Sequence, residues 1–216
     1  MTHPLWPLFD LRIVTPHLEL RLPADDELAS LCALAREGIH DPSWMPFGYG
    51  WTDLPSPAFE RGFAQYHWGR RAEWRPEHWS LELMVSRDGE PIGMQGVFAR
   101  DFPTLRTVSS GSWLGRAFQG RGLGKEMRGA VLHLAFAGLG AEVALTDAFV
   151  DNLASIGVSR AVGYEENGTG RLARRGAASD TLRFRLTRER WAALQWPEVR
   201  IEGLEACLEL FGASRG

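Results

Sequence analysis

Residues 113–128 read WLGRAFQGRGLGKEMR and hold the residue types with the clearest chemistry in the chain. The strand-forming pair Trp113 and Leu114 runs into a glycine turn, Gln119-Gly120-Arg121-Gly122-Leu123-Gly124. Leu123, Met127, Ala130, Val131 and Leu134 then recur at helical spacing. A glycine turn between a strand and a helix start is an anion receptor. The backbone curls with its N–H groups inward, and the first helical turn adds unpaired donors and the positive end of the dipole. Arg116, Arg121, Lys125 and Arg128 stand there against the single acid Glu126, in a chain whose formal net charge is −3. The stretch predicts a phosphate or pyrophosphate cradle, with backbone donors from residues 120–125 and Arg116, Arg121 and Arg128 reaching in from the side.

Spacing separates the motifs that share this layout. A P-loop needs a glycine five residues before Gly124 and Ser or Thr after Lys125; Gln119 and Glu126 occupy those places. A dinucleotide fingerprint beginning at Gly120-x-Gly122 needs Gly or Ala where Lys125 stands. Asp147, roughly 20 residues on, keeps that alternative open. The third pattern, Gln/Arg-x-x-Gly-x-Gly/Ala, is met by Gln119, Gly122 and Gly124. It resembles the coenzyme A loop of the GCN5-related N-acetyltransferase (GNAT) superfamily.

The rest of the chain must position this loop. At 216 residues it suffices for one domain with a sizeable core. No apolar run is long enough to span a bilayer and the N-terminus lacks a basic-then-apolar leader, so a soluble cytoplasmic protein without a membrane partner is expected. Cys32 and Cys207 lie far apart with no CxxC or Cys/His spacing, which predicts buried thiols rather than a disulfide framework or a metal site. The mild acidity argues against nucleic acid as a partner. Alternation over 11–15 and 17–22 around Pro16 reads as an interrupted first strand. A helix starts at Asp25-Asp26, carries Leu28, Leu31, Cys32, Leu34 and Ala35 inward and stops at Gly38. After an irregular aromatic stretch, Ser56-Pro57 opens a second helix that turns Phe59, Phe63, Tyr66 and Trp68 inward. Strands at 79–87 and 91–99 flank the turn Asp88-Gly89, and a strand at 106–114 leads into the loop. Gly138-Leu139-Gly140 ends the loop's helix. A central strand at 142–150, a helix at 153–162 and a closing hairpin (171–175 and 181–186) follow, then a short helix from Thr187. The amphipathic tail from 199 onward suits packing on the domain or on a second subunit.

Several motifs in this order extend the resemblance. Thr15-Pro16-His17-Leu18-Glu19-Leu20-Arg21 resembles the opening of the ribosomal-protein N-acetyltransferase (RimJ/RimL-like) branch, and Ser112-Trp113-Leu114 its fourth strand. Asn152-Leu153-Ala154-Ser155, with Val158 and Gly163-Tyr164, resembles its NxxS…GF/GY helix. The resemblance implies a single α/β (α+β) domain over 1–216, with a core at about 11–190 and a C-terminal extension at 191–216. It implies a central mixed, mostly antiparallel sheet of six to seven strands, with helices on both faces and strands 4 and 5 splayed. The implied activity moves an acetyl group from acetyl-CoA to a primary amine (a protein N-terminus, a lysine or a small amine) in a ternary complex. Alternatives are a bulkier or acidic acyl group such as succinyl from succinyl-CoA, or a non-catalytic coenzyme A sensor. The implied partners are an acyl-CoA, an amine acceptor and a second copy in a homodimer or higher homo-oligomer.

The resemblance also distributes roles. Trp113, Leu114, Arg116, Gln119, Gly120, Arg121, Gly122, Leu123, Gly124, Lys125, Asn152 and Ser155 would contact the coenzyme, with an N–H near Leu114 facing the thioester oxygen. Where the family commonly carries a tyrosine as proton donor to the thiolate, seven residues after Asn152, this chain has Ser159; Ser155 would take that part. Asn152 and Ser155 equally suit helix capping. For the base, Ser109 stands where many relatives carry Glu, so Asp147 is the first candidate, followed by Glu82 and His78. Met45, Phe47, Trp51 and Gln95 would wall the acceptor or acyl pocket.

Overall fold

Asp88 and Gly89 both adopt positive φ, 53° and 84°, the pair a two-residue hairpin turn requires. They join β3 (His78–Arg87) to β4 (Glu90–Arg100), and β5 (Thr107–Leu114) pairs antiparallel with β4 after the one-turn helix that spans Phe102–Leu105. The computed structural model describes residues 3–213. Around these three strands lie β1 (Arg12–Val14), β2 (Glu19–Arg21), β6 (Val143–Phe149), β7 (Glu165–Arg174), β8 (Ala177–Thr187) and β9 (Arg200–Glu202). They form one sheet in the order β7-β8-β6-β5-β4-β3-β2-β1-β9.

Every pairing is antiparallel except β5 with β6. That parallel contact runs only through Thr107↔Val143, Val108↔Ala144 and Ser109↔Leu145. Beyond it β5 continues to Leu114 beside β4 and β6 to Phe149 beside β8 without pairing to each other, so the two strands part in a wedge.

Helices cover both faces. On one, α1 (Asp25–Glu37) and α2 (Ala58–Ala72) bury Leu28, Leu31, Phe59 and Phe63 against Met84 and Met94. The other carries α4 (Leu123–His133) and α5 (Leu153–Ala161), numbered after the one-turn α3 at 102–105, over the larger core cluster. A short α6 (Arg188–Ala192) begins at Thr187, whose hydroxyl accepts the Arg190 N–H at 3.2 Å. Among the described residues no helix is long and apolar enough to cross a membrane.

The sheet has nine strands where six to seven were expected. Pro16 reverses the chain, so the expected interrupted strand becomes the antiparallel hairpin β1–β2. The other addition, β9, comes from the tail and pairs with β1. The closing hairpin starts earlier than its apolar pattern suggests, because the polar edge strand β7 is solvated along most of its length. In α2 the buried stripe is Phe59, Phe63 and His67, a strict four-residue spacing; Tyr66 and Trp68 are half-exposed.

The tail belongs to the core. Trp74 and Trp79 stack at 5.8 Å, with the Phe211 ring edge-on to them at 5.3 and 4.9 Å. Their indole N–H groups donate to the Leu210 and Phe211 carbonyls at 2.7 and 3.2 Å. Cys32 and Cys207 are buried free thiols, and burial pushes Cys207 up to about 11. Since Phe211 is fully buried, Phe211→Ala is expected to cost about 3–5 kcal/mol, read as a lowered guanidinium midpoint. A midpoint equal to that of the parent chain would detach the tail from the core.

Candidate active site

The glycine turn is built as its sequence requires. Gly120 and Gly122 sit at φ 73° and 83°, conformations that an L side chain rarely adopts. Gly124 faces α5, where a Cβ would make an ordinary contact of 3.5 Å with Val158 Cγ2. The loop hangs from two anchors. Gln119 Nε2 donates to the carbonyls of Ile39 and Leu114, both at 2.8 Å, and the Arg116 N–H donates to Gly38 O at 3.1 Å. Gln119 is therefore a clamp, its side chain already committed to protein. Among the described residues the N–H groups of residues 120–124 have no acceptor, and Lys125 N–H only turns back to Gly122 O. Exposed Arg121 and Lys125 line the groove beside them, the exposed Arg116 side chain packs over Gly38, and none of the three makes an ion pair among the described residues. Five open donors with two open cations beside them at a helix start form a preorganised anion site.

The wedge between β5 and β6 begins next to this loop. Thr146 Oγ1 donates to Ser110 O and Gln119 Nε2 to Leu114 O, while Gly115 N–H points back to Ile92 O on the β4 side. By alternation, the amides of Ser112 and Leu114 face the open side. Arg128 fills the wedge from the α4 face. It is buried, with Nη1 3.3 Å from Thr146 Oγ1 and Nη2 3.4 Å from Ser112 Oγ. No carboxylate pairs with it, its Nε is unpartnered, and burial pulls its pKa below the usual arginine value. Tyr164 and Ser110 hydroxyls lie beside it outside hydrogen-bond geometry. Arg128 thus props the strands apart instead of reaching the loop.

On the α2 face a pocket of about 350 Å3 lies over β3, β4 and β5. Trp51 is its central wall, 5.6 Å from Phe47 and Phe59, 5.9 Å from Phe63 and 6.1 Å from Trp113. Glu82 forms part of the floor. Tyr66 Oη and Ser80 Oγ donate to its Oε1 at 2.7 and 2.8 Å. The carboxylate keeps some exposure to the cavity, but the surrounding protein desolvates it and raises its pKa despite those two hydrogen bonds. His67, buried beside it, is lowered to about 4 and is neutral at physiological pH.

The turn of the β7–β8 hairpin straps the loop that carries Trp51. Arg175 makes paired contacts with Asp53 at 2.7 and 2.8 Å and donates to Pro42 O at 2.9 Å. Arg174 holds Asp151 at 2.8 Å and lies 4.4 Å over the Phe149 ring. These arginines lower the pKa of Asp53 and Asp151. Both contacts bridge segments remote in sequence, and no local pattern announces them.

A family model described as "Acetyltransferase (GNAT) domain" matches residues 17–165. The chain belongs to the GNAT acetyltransferase family. Solved structures agree in fold. Mycobacterium smegmatis RimJ in complex with CoA-disulfide superposes with a TM-score of 0.69 at 21% identity, covering 93% of this chain and 94% of that one. A RimL alpha-N-protein acetyltransferase in complex with coenzyme A gives 0.66 at 20% identity, covering 81% and 96%. At such identities the likeness is one of architecture, and it includes the open sheet with helices on both faces.

Within this acetyltransferase the expected site residues divide. Arg121, Gly122, Leu123 and Lys125 lie together along one groove, while the Arg116 side chain packs over Gly38. Leu114 presents its backbone to the wedge while its side chain is buried, and the Leu123 side chain likewise enters the core. The Trp113 ring turns to the α2 face and walls the pocket. Asn152 caps α5, its Oδ1 accepting Ser155 N–H at 3.1 Å. The half-buried Ser155 hydroxyl has no partner of its own, whereas Ser159, fully buried, donates to Ser155 O at 3.0 Å. Asp147 is exposed on β6, opposite Arg183 of β8. His78 is exposed at the start of β3, outside the pocket. Phe47 and Trp51 line the pocket, but Met45 is buried away from it, its sulfur 3.9 Å from Thr52 Oγ1. Gln95 points to the opposite face of β4, where Nε2 donates to the Gly96 and Gly111 carbonyls at 2.9 and 3.0 Å; the pocket wall expected there is absent.

The buried histidine makes stability pH-dependent. Its pKa is about 4 in the fold against an ordinary value of 6.5, so its contribution is complete above 6.5 and is lost as pH falls through 4. Between about pH 7 and about pH 5 the parent chain should lose about 2 kcal/mol more than His67→Leu, measured from urea midpoints. Equal losses would show that His67 is not held neutral by burial.

Proposed function

We propose that this chain transfers an acyl group, acetyl by default, from an acyl-coenzyme A to a primary amine by direct attack in a ternary complex. One observation carries the reading: five backbone amides without an acceptor among the described residues, flanked by the unpaired cations Arg121 and Lys125, open beside the wedge between β5 and β6. The amides of residues 120–124 would hold the diphosphate, with Arg116, Arg121 and Lys125 neutralising its charge. The bound thioester supplies an activated acyl carbon at the wedge. The Ser112 and Leu114 amides are available to the developing oxyanion, where one such donor is worth about 3 kcal/mol. As the amine nitrogen bonds to the acyl carbon and the carbon–sulfur bond breaks, the ammonium proton passes to a carboxylate on the α2 face, Asp147 or Glu82. The thiolate takes its proton from the partnerless Ser155 hydroxyl, which Asn152 orders by capping α5.

Thermal shift against acetyl-CoA, succinyl-CoA, NAD and ATP tests the reading, followed by thiol release with a panel of amines. Stabilisation by NAD alone would reject it, and coenzyme binding without thiol release from any acceptor would make the chain a sensor. Ser155→Ala is expected to lower kcat about tenfold or more while the dissociation constant for acetyl-CoA stays within about twofold; an unchanged kcat removes Ser155 from the proton transfer. A Cβ at Gly122 meets nothing within 4 Å, yet φ there is 83°. Gly122→Val should therefore keep the fold, distort the loop and weaken coenzyme A about tenfold or more by calorimetry. Unaltered affinity would place the diphosphate elsewhere.

A further inference from the structure

The sheet register under the α2 face sets three residues in one row: Glu82 faces Gly96, and Gly96 faces Gly111. The flanking rows are Ser80–Phe98–Ser109 and Met84–Met94–Trp113. Two bare glycines therefore leave a trough across about two strand spacings, or about 10 Å, from the acid of β3 to the strand that borders the wedge. Gly96 is required by a close approach, whereas a Cβ on Gly111 would stand in open space. A Cβ on Gly96 would stand 2.7 Å from Glu82 Oε2, so the carboxylate already leans over β4 toward β5. From the far face, Gln95 ties the carbonyls of both glycines with one amide group and keeps the trough floor flat.

Charge and shape in the trough are specific. Glu82 Oε1 is saturated by Tyr66 and Ser80, whereas Oε2 has no hydrogen-bond partner. Among the described residues no cation contacts it: His67 is neutral, and Arg70 of α2 favours its charge only from a distance, its own contact being with Glu73 at 2.6 Å. An ionised carboxylate in so apolar a pocket is costly unless a cation meets it. The faces of Trp51, Phe63 and Trp113 attract a cation as well. The lining offers little else that is polar, and about 350 Å3 matches a small molecule.

We propose that the trough is the acceptor subsite and takes a small primary amine borne on an apolar or aromatic body, with Glu82 Oε2 as its ammonium receptor. This rests on the acyltransferase reading, and it narrows the acceptor. Ammonium at Oε2 lies above the two glycines, next to β5, with the apolar body among the aromatic rings. Anionic acceptors meet a like charge, and neutral isosteres leave the carboxylate unpaired.

The test is binding in the absence of coenzyme, followed by tryptophan fluorescence from Trp51 and Trp113 and by calorimetry. 2-Phenylethylamine, 2-phenylethanol and phenylacetate are titrated into the parent chain, Glu82→Gln and Gly96→Ala. Coenzyme A affinity is measured on the same samples. The amine should bind the parent chain about tenfold or more tighter than the alcohol, with no binding of phenylacetate. Glu82→Gln and Gly96→Ala should each abolish most of that preference while coenzyme A affinity is unchanged. Equal binding of amine and alcohol, a preference retained in Glu82→Gln, or turnover of peptide N-termini but not of 2-phenylethylamine would overturn the assignment. Loss of coenzyme A binding in the parent chain would instead reject the acyltransferase reading, and the amine titration would still report on the trough.

Discussion

A parallel strand pair that closes for only three residues is the constraint on which the site depends. Sheets normally satisfy every backbone donor and acceptor, and leaving a row open is costly unless something fills it. Here β5 and β6 separate after Ser109 and Leu145, and the opening is held from both ends. On the α4 face, Arg128 takes the space between Ser112 and Thr146 and supplies donors to hydroxyls on both strands. At the mouth, Gln119 accepts no slack: its one amide group binds the end of β5 and the turn after α1 together. The glycine loop is thereby fixed at the edge of the opening, instead of floating above it.

The two faces of the sheet then have separate tasks. The α4–α5 face gathers charge, through open backbone amides and unpaired cations at a helix start. The α1–α2 face carries shape, through aromatic rings packed around Trp51 and one desolvated acid. The β7–β8 turn links these tasks physically. Arg175 grips Asp53 beside the aromatic wall while Arg174 grips Asp151 just before the α5 cap. Loop position on one face is thus coupled to the helix start on the other by two exposed ion pairs. Each is weak alone, but Arg175 adds a bidentate geometry that favours a single arrangement.

What could be read from the sequence follows the range of the interactions. Positive φ at Gly120 and Gly122, the Asp88-Gly89 turn and the Asn152 cap are local devices, and each is written in a few adjacent residues. The strand and helix order followed from them, as did the glycine turn that opens α4. Positions decided by the third dimension were harder. Arg128 reads as a fourth loop cation, yet its helical phase turns it to the sheet. Gln95 sits on the face opposite to the pocket because side chains alternate along β4. His67 displaces Tyr66 and Trp68 from the α2 stripe, since a strict four-residue spacing governs that contact. The Arg175–Asp53 and Arg174–Asp151 pairs join residues far apart along the chain, and only the folded hairpin brings them together.

The central claim is that open main-chain amides, not side chains, grip the diphosphate. Amide-resolved NMR titration measures this directly, with coenzyme A in one arm and pantetheine, which lacks the diphosphate, in the other. The account predicts that coenzyme A shifts the N–H resonances of residues 120–124 and that pantetheine leaves them in place while perturbing Ser112 and Leu114. Coenzyme A shifts confined to other segments, or identical loop shifts from both compounds, would contradict it.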